Sequence, residues 1–427
     1  MTYETEESFA FKLDKQDPLA SYRLKFILPK SKDGNPLLYF AGHSLGLQPQ
    51  AVKEAIEHQL ASWGNFGVHG YLEGSNPWYT WDERLQGLLA PLVGARPSEV
   101  VLMNSLTTNL HVMLASFYAP TKERHKILIE DGAFPSDYFA VESQIRHHGF
   151  DPKHSMILAK PLPGEDLVRI QTIESILKEQ GKEIALVFLP GVNYYTGQVF
   201  PMEQITRLGH QHECKVGFDL AHAIGNIPMN LHDWNVDFAV WCNYKYLNSG
   251  PGSAGGAFVH ERYALDPALP RLAGWWGYHP DTRLQKPTTF VPRAGALGWQ
   301  FSCPPILSTT PCEVSLQLFR EVGIEALRSK SILLTGYLEF LLHQLDSKLI
   351  TIITSKNSSE RGCQLSIRLH KDPKETLQVL GQHDIACDLR DPDVLRVAPI
   401  PFYNTFHEVW QFAQVFKKVL LSTTTRL

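Results

Sequence analysis

Short, almost wholly apolar runs recur between about residues 100 and 260, set apart by polar or glycine-rich stretches. Val100 to Met103, Lys126 to Glu130, Ala185 to Leu189, Val216 to Leu220, Phe238 to Cys242 and Gly256 to His260 are the expected strands. They do not alternate apolar with polar, which is the pattern of strands covered on both faces. Thr107 to Tyr118, Ser136 to His148, Leu167 to Gln180 and Met202 to Glu213 lie between them and have helical character. Strands alternating with helices predict a mainly parallel sheet with helices on both sides. From about Pro311 the pattern changes. A long helical stretch from Glu313 to about Leu345 precedes strand candidates at Leu349 to Thr354, Cys363 to His370 and Val394 to Ala398. A last helix runs from Thr405 to about Leu420, so this part reads as a smaller α+β unit.

With 427 residues the chain is too long for one ordinary core. The expected division is an N-terminal arm over 1–38, a large domain over 39–310 and a small C-terminal domain over 311–427, with the arm expected against the last. The arm ends in the turn cluster Lys30-Ser31-Lys32-Asp33-Gly34-Asn35-Pro36. A net charge of −4 offers no basic field for nucleic acid or an anionic membrane. The first 17 residues are polar and acidic, unlike a usual signal peptide. No apolar run approaches the roughly 20 residues that span a bilayer. Six cysteines without close pairing fit reduced thiols in a cytoplasmic protein. The 18 histidines show no metal-ligand spacing, and no metal is expected.

The chemistry concentrates at strand ends. Asp219 closes one expected strand, and Lys245 follows the next one in Trp241-Cys242-Asn243-Tyr244-Lys245-Tyr246. In an open α/β sheet both then stand at the carboxyl edge, where ligands bind. An amine able to form a Schiff base, with an acid to hold a pyridinium nitrogen, is the pairing that pyridoxal phosphate (PLP) requires. His222, three residues after Asp219, could stack on a flat cofactor. Phe134 in Phe134-Pro135-Ser136-Asp137 could cover the ring. Asn104-Ser105-Leu106-Thr107-Thr108-Asn109 joins a strand to a helix, and free N–H groups at a helix start suit a phosphate. The glycine-dense stretch 248–256 lacks the spacing of a nucleotide P-loop but permits close backbone approach. Arg396, in an otherwise apolar strand, suits two-point contact with a carboxylate. Taken singly, each has a bland alternative: a helix cap, a core histidine, a surface lysine, a strand salt bridge.

Together the motifs resemble one family. Gly42-His43-Ser44-Leu45-Gly46-Leu47, Phe134-Pro135-Ser136-Asp137, Tyr195-Thr196-Gly197-Gln198 and Gly217-Phe218-Asp219-Leu220-Ala221-His222 are similar to those of kynureninases. So are Tyr244-Lys245-Tyr246-Leu247-Asn248, Gly274-Trp275-Trp276-Gly277 and Arg396-Val397-Ala398-Pro399, all in the family's order between about residues 39 and 407. The resemblance implies the fold type I PLP enzyme architecture: an α/β large domain with a mainly parallel seven-stranded sheet and a smaller α+β C-terminal domain. It implies a homodimer with sites at the subunit interface, and no nucleic-acid or membrane partner. The implied reaction is hydrolysis of L-kynurenine or 3-hydroxykynurenine to anthranilate or 3-hydroxyanthranilate plus L-alanine, in tryptophan catabolism and NAD biosynthesis.

The resemblance also implies residue roles. Lys245 would carry PLP and move protons, Asp219 would bind the pyridinium, and His222 and Phe134 would border the ring. Leu106, Thr107 and Tyr244 would serve the phosphate region, with Tyr244 also assisting proton transfer. Pro135, Ser136 and Asp137 belong to the implied cofactor pocket, and Ser44 joins the implied catalytic set. Trp275 would reach the cofactor from the partner subunit, and Arg396 would hold the substrate carboxylate. Tyr71 and Cys303 would meet the aryl end, with Cys303 also counted beside the cofactor. Four positions depart from the family pattern: His43, Pro190, Cys303 and Tyr71. The last two put the preference between the two kynurenines in question. The alternatives are another fold type I PLP enzyme, such as a cysteine desulfurase or lyase relative using Cys363, and a noncatalytic scaffold.

Overall fold

The computed structural model describes residues 2–266, 268–285 and 288–424. Its central sheet has seven strands in the order Val100–Met103, Gly255–Val259, Phe238–Cys242, Lys215–Asp219, Ile184–Pro190, Lys126–Glu130, Met156–Ala159. All pairings are parallel except those of Gly255–Val259, which runs antiparallel to both neighbours. The sheet has two covered faces. Leu128, Val187, Val216, Phe218, Ala239, Trp241 and Phe258 pack into one hydrophobic cluster, while Ile127, Ile129, Leu186, Phe188, Phe238, Val240 and Ala257 pack into another. Neighbours in sequence therefore enter different cores, which is why these strands read as unbroken apolar runs.

The expected strands are present within a residue or two. Met156–Ala159, the seventh, has no counterpart among them: it is an edge strand of four residues, three of them half-buried. The expected helix from Glu313 to Leu345 is instead two helices, Ile306–Val322 and Ile324–Leu342. Gly323 between them has φ +80°, a left-handed conformation that ends the first helix at low steric cost to glycine alone. The glycine-dense stretch does more than approach a ligand. A Cβ on Gly255 would meet the Trp241 carbonyl oxygen at 2.9 Å and the Leu106 amide nitrogen at 3.0 Å, so glycine lets the sheet pack against the start of the Leu106–Phe117 helix.

A second sheet, antiparallel, has the order Asp388–Arg390, Val394–Val397, Leu365–Leu369, Ile350–Ile352. Leu365, Ile367, Leu395 and Val397 share a third hydrophobic cluster with Phe9, Ala10 and Leu13 of the helix Glu7–Gln16. The Asp14 carboxylate accepts from the backbone N–H groups of Phe406 and His407 at 2.7 and 3.0 Å, capping the start of the helix Phe406–Thr424. Leu38–Tyr39 pairs in parallel with Ile385–Ala386. Among the described residues no helix is long and apolar enough to cross a membrane.

Asp237 ties the sheet to its surroundings. Its buried carboxylate accepts from Val216 N at 2.6 Å, His210 Nε2 at 2.9 Å and Arg262 Nη2 at 2.5 Å, and from the Tyr263 hydroxyl. Burial alone would raise its pKa, but these bonds override it and hold the group down at about 2. A carboxylate whose pKa is depressed on folding contributes stability above its unfolded pKa, and loses it as pH falls through the folded value. Here that amounts to about 2 kcal/mol, lost between roughly pH 4 and pH 2. Asp237→Asn is expected to flatten this part of the stability profile in urea titrations. Identical acid limbs for both proteins would place the sensitivity elsewhere.

Candidate active site

The carboxyl ends of three parallel strands bring three acids and a lysine to one cavity. Glu130 ends Lys126–Glu130, Asp219 ends Lys215–Asp219, and Asp137 lies in the first turn of the helix Pro135–His147. Lys245 follows the strand Phe238–Cys242. The cavity is lined by Asp219, Lys245, His222, Phe134, Asp137 and Glu130, together with Leu106, Thr107, Ser136, Pro190, Tyr194 and Tyr244, among others.

Lys245 is buried, with Nζ 3.1 Å from His222 Nε2. It stands 5.6 Å from the centroid of the Phe134 ring and 5.8 Å from that of Tyr244. Burial, reinforced by the positive charges of Lys245 and Arg396, pushes the His222 pKa well below 6.5. His222 is thus a neutral imidazole whose Nε2 accepts from the amine. Were all three acids ionised, they would carry more negative charge than one lysine balances. Burial raises the pKa of Asp219, although Lys245 opposes it. Burial and the neighbouring Asp219 push Asp137 well above the ordinary carboxyl range. Asp137 and Asp219 share a hydrogen bond, so Asp137 is the member that keeps the proton. Burial likewise lifts Glu130 to about 8.

Another part of the lining suits an anion. The helix Leu106–Phe117 begins at the cavity with no side-chain cap on its first N–H groups. Thr107 Oγ1 donates to Ser136 Oγ at 3.1 Å. Two buried polar atoms here, Asp137 Oδ1 and His222 Nδ1, have no partner among the described residues. The donor set fits PLP: an amine for the aldehyde, an acid pair for a cationic ring nitrogen, aromatic walls, and a helix start for the phosphate.

Not every expected residue lines this cavity. Pro135 opens its helix beside it. Arg396 is buried nearby, close enough for its charge to act on His222. Its Nε donates to Asp388 Oδ1 at 2.7 Å, Nη1 to the Tyr194 carbonyl at 2.7 Å and Nη2 to Ser44 Oγ at 3.0 Å. Ser44 in turn donates to Asp388 Oδ2 at 2.6 Å. His43 Nε2 lies 3.2 Å from Asp388, and burial, with the charge of Arg396, lowers its pKa to about 4. Burial would raise Asp388, but the bonds from His43 and Arg396 hold it well below the usual carboxylate range. Asp388 and Arg396 are cross-strand partners, and sequence reading missed Asp388 because that pairing needs the register of the hairpin. Trp275, Tyr71 and Cys303 stand apart from the Lys245 cavity. Trp275 is 47% exposed. Tyr71 lines a separate apolar cavity with Trp63, Val68 and Trp78, and its hydroxyl and the Cys303 thiol are neighbours.

The sequence model of the kynureninase C-terminal domain matches residues 327–416. The kynureninase of Koribacter versatilis (strain Ellin345) is 49% identical over 97% of this chain and 98% of its own length. The kynureninase of Mus musculus is 43% identical over 98% of this chain and 94% of its own length. This chain belongs to the kynureninase family. Membership makes it a PLP-dependent hydrolase of a carbon–carbon bond, as its motifs implied. Among solved structures, an apo cysteine desulfurase from Thermococcus onnurineus NA1 superposes with a TM-score of 0.76, at 16% identity over 90% of this chain and 95% of that one. A variant of C-DES holding glycine covalently linked to its PLP cofactor superposes with a TM-score of 0.75, at 18% identity over 89% of this chain and 96% of that one. At such identities they establish the fold: the expected fold type I architecture. They do not extend desulfurase chemistry to this chain. Cys363 is 2% exposed, and burial pushes its thiol up to about 12, so it is no mobile nucleophile.

Proposed function

We propose that Lys245 and Asp219 work on opposite ends of one PLP ring to hydrolyse L-kynurenine or 3-hydroxy-L-kynurenine, giving L-alanine and the matching anthranilate. The observation that carries the reading is the shared cavity: an amine and an acid from successive strand ends, with a helix start in the same lining. Asp219 would pair with the ring nitrogen, Thr107 and the N–H groups at Leu106 and Thr107 would hold the phosphate, and Phe134 and His222 would flank the ring. PLP, when bound, supplies an electron sink for the pair left when a proton leaves the carbon beside the substrate amine.

The protein's own groups do the rest. Lys245 Nζ, once released, takes the α-proton and returns it, with His222 Nε2 fixing its position. Arg396 fixes the α-carboxylate, so that the bond to be broken is held in one orientation. One water adds to the γ-carbonyl, and cleavage of Cβ–Cγ releases the aryl acid. Burial raises the Tyr244 hydroxyl above its ordinary pKa, so it holds its proton at neutral pH and can deliver it to the carbon that becomes the alanine methyl. Asp137 keeps its proton and steadies Asp219.

A homodimer belongs to the same proposal. Trp63, Val68 and Leu72 are 62%, 75% and 73% exposed, an apolar face of the kind that another subunit covers. A partner seated there would bring Trp275, Tyr71 and Cys303 to the aryl end, completing the substrate pocket. The division into an arm over 1–38, a large domain over 39–310 and a small one over 311–427, and a cytoplasmic site of action in tryptophan catabolism or NAD biosynthesis, belong to the same proposal. The test is to incubate PLP-loaded protein with each kynurenine separately. The expected result is growing anthranilate or 3-hydroxyanthranilate fluorescence with stoichiometric L-alanine; no product from either substrate overturns the reading.

A further inference from the structure

The segment Tyr195-Thr196-Gly197-Gln198 is absorbed by none of the roles above, yet it sits where the two sheets meet. It belongs to a tight turn that starts at Asn193, which is buried. The Asn193 side-chain oxygen accepts from Tyr195 N at 2.8 Å, Thr196 N at 2.7 Å and Thr196 Oγ1 at 3.0 Å. Gathering those donors inward leaves three successive carbonyls facing the antiparallel sheet. The Tyr194 carbonyl accepts from Arg396 Nη1 at 2.7 Å and Gln364 Nε2 at 3.1 Å. The Tyr195 carbonyl accepts from Ser366 Oγ at 2.6 Å, and the Thr196 carbonyl from Thr354 Oγ1 at 2.5 Å. The other end of the Asn193 amide points the opposite way: Nδ2 donates to Glu130 Oε2 at 2.7 Å, on the floor of the Lys245 cavity. Tyr194 lines the same cavity, and its ring packs edge-to-face with that of Phe134, the centroids 5.2 Å apart.

We propose that Asn193, anchored on Glu130, is a positioning residue that sets Arg396 for the substrate carboxylate, so that the cavity floor and the arginine form one hydrogen-bonded strut. The inference rests on the reading of Arg396 as the carboxylate holder. Asp388 fixes one edge of the guanidinium and Ser44 a corner, whereas the Tyr194 carbonyl fixes Nη1. That carbonyl is the one contact of the three supplied from the parallel-sheet side. Its direction depends on the Asn193 turn. Glu130 serves this role as a neutral acid, consistent with burial raising it to about 8. A glutamine in its place offers the same oxygen to Asn193.

The test is a double-mutant cycle read by calorimetric binding of L-alanine to the PLP-loaded protein, with melting temperature as a check on folding. Asn193→Ala and Glu130→Ala are each expected to weaken L-alanine about tenfold in the Arg396 protein, the worth of one misdirected charge-assisted bond. Both are expected to have little effect in an Arg396→Ala background. With the kynurenine substrate, KM should rise more than kcat falls. Glu130→Gln should restore the affinity that Glu130→Ala loses. Equal losses in the two backgrounds would overturn the strut while leaving the function intact. Undiminished L-alanine binding by Arg396→Ala alone would instead overturn the role of Arg396. Should Asn193→Ala fail to fold, the two Glu130 variants decide, since both keep Asn193 and the donors its side-chain oxygen gathers.

Discussion

Lys245→Ala is expected to lower kynurenine turnover by about 10⁴-fold or more, since one residue is asked both to carry the cofactor and to move the α-proton. The fold should survive. Lys245 is buried in a cavity rather than in a packed core, and among the described residues its direct side-chain hydrogen-bonding neighbour is His222 Nε2. Melting temperature should therefore stay close to that of the parent, while the near-visible absorbance of the bound cofactor is lost. The electrostatic consequence is separate. Lys245 is the cation that opposes the upward shifts of Asp137 and Asp219, so its removal drives both carboxyls further toward the protonated form. A variant that keeps the parent rate would place the base elsewhere.

Asp219→Asn is expected to cost about 10²- to 10³-fold in kcat, the range typical for removing one preorganised electrostatic contact to developing charge. The substitution keeps size and shape, and an amide oxygen can still accept from Ala221 N, as Oδ1 does at 2.7 Å. It removes the negative charge that favours a protonated ring nitrogen. The buried group next to it makes the effect specific. Asp137 shares a hydrogen bond with Asp219 and keeps its own proton, so it does not replace the missing charge. Cofactor affinity should fall as well. Stopped-flow spectra on mixing with substrate check this: the parent should show a transient long-wavelength band that the variant lacks, and unchanged spectra would remove Asp219 from its assigned place.

How much of this was legible in the sequence follows from burial. Strands covered on both faces, such as Ile184–Pro190 and Phe238–Cys242, are apolar at every position and announce themselves. Met156–Ala159, half-buried at an edge, does not. The break at Gly323 was hidden because the apolar pattern continues from one helix into the next. Asp219, Lys245, His222 and Phe134 were readable because each closely follows a strand, and strand ends share one edge of a parallel sheet. The surroundings of Arg396 were not. Asp388 reaches it across a hairpin, and Tyr194 and Ser44 reach it from segments 202 and 352 residues away. Glu130 was visible only as the end of a strand; its tie to Asn193 spans 63 residues and has no local signal.

The most direct measurement is to reduce the PLP-loaded protein with borohydride, digest it, and locate the modified peptide by mass spectrometry. The account predicts a single pyridoxyl mark on Lys245, in the peptide containing Tyr244 and Tyr246. A mark on any other lysine, or none on a protein that turns over kynurenine, would contradict it.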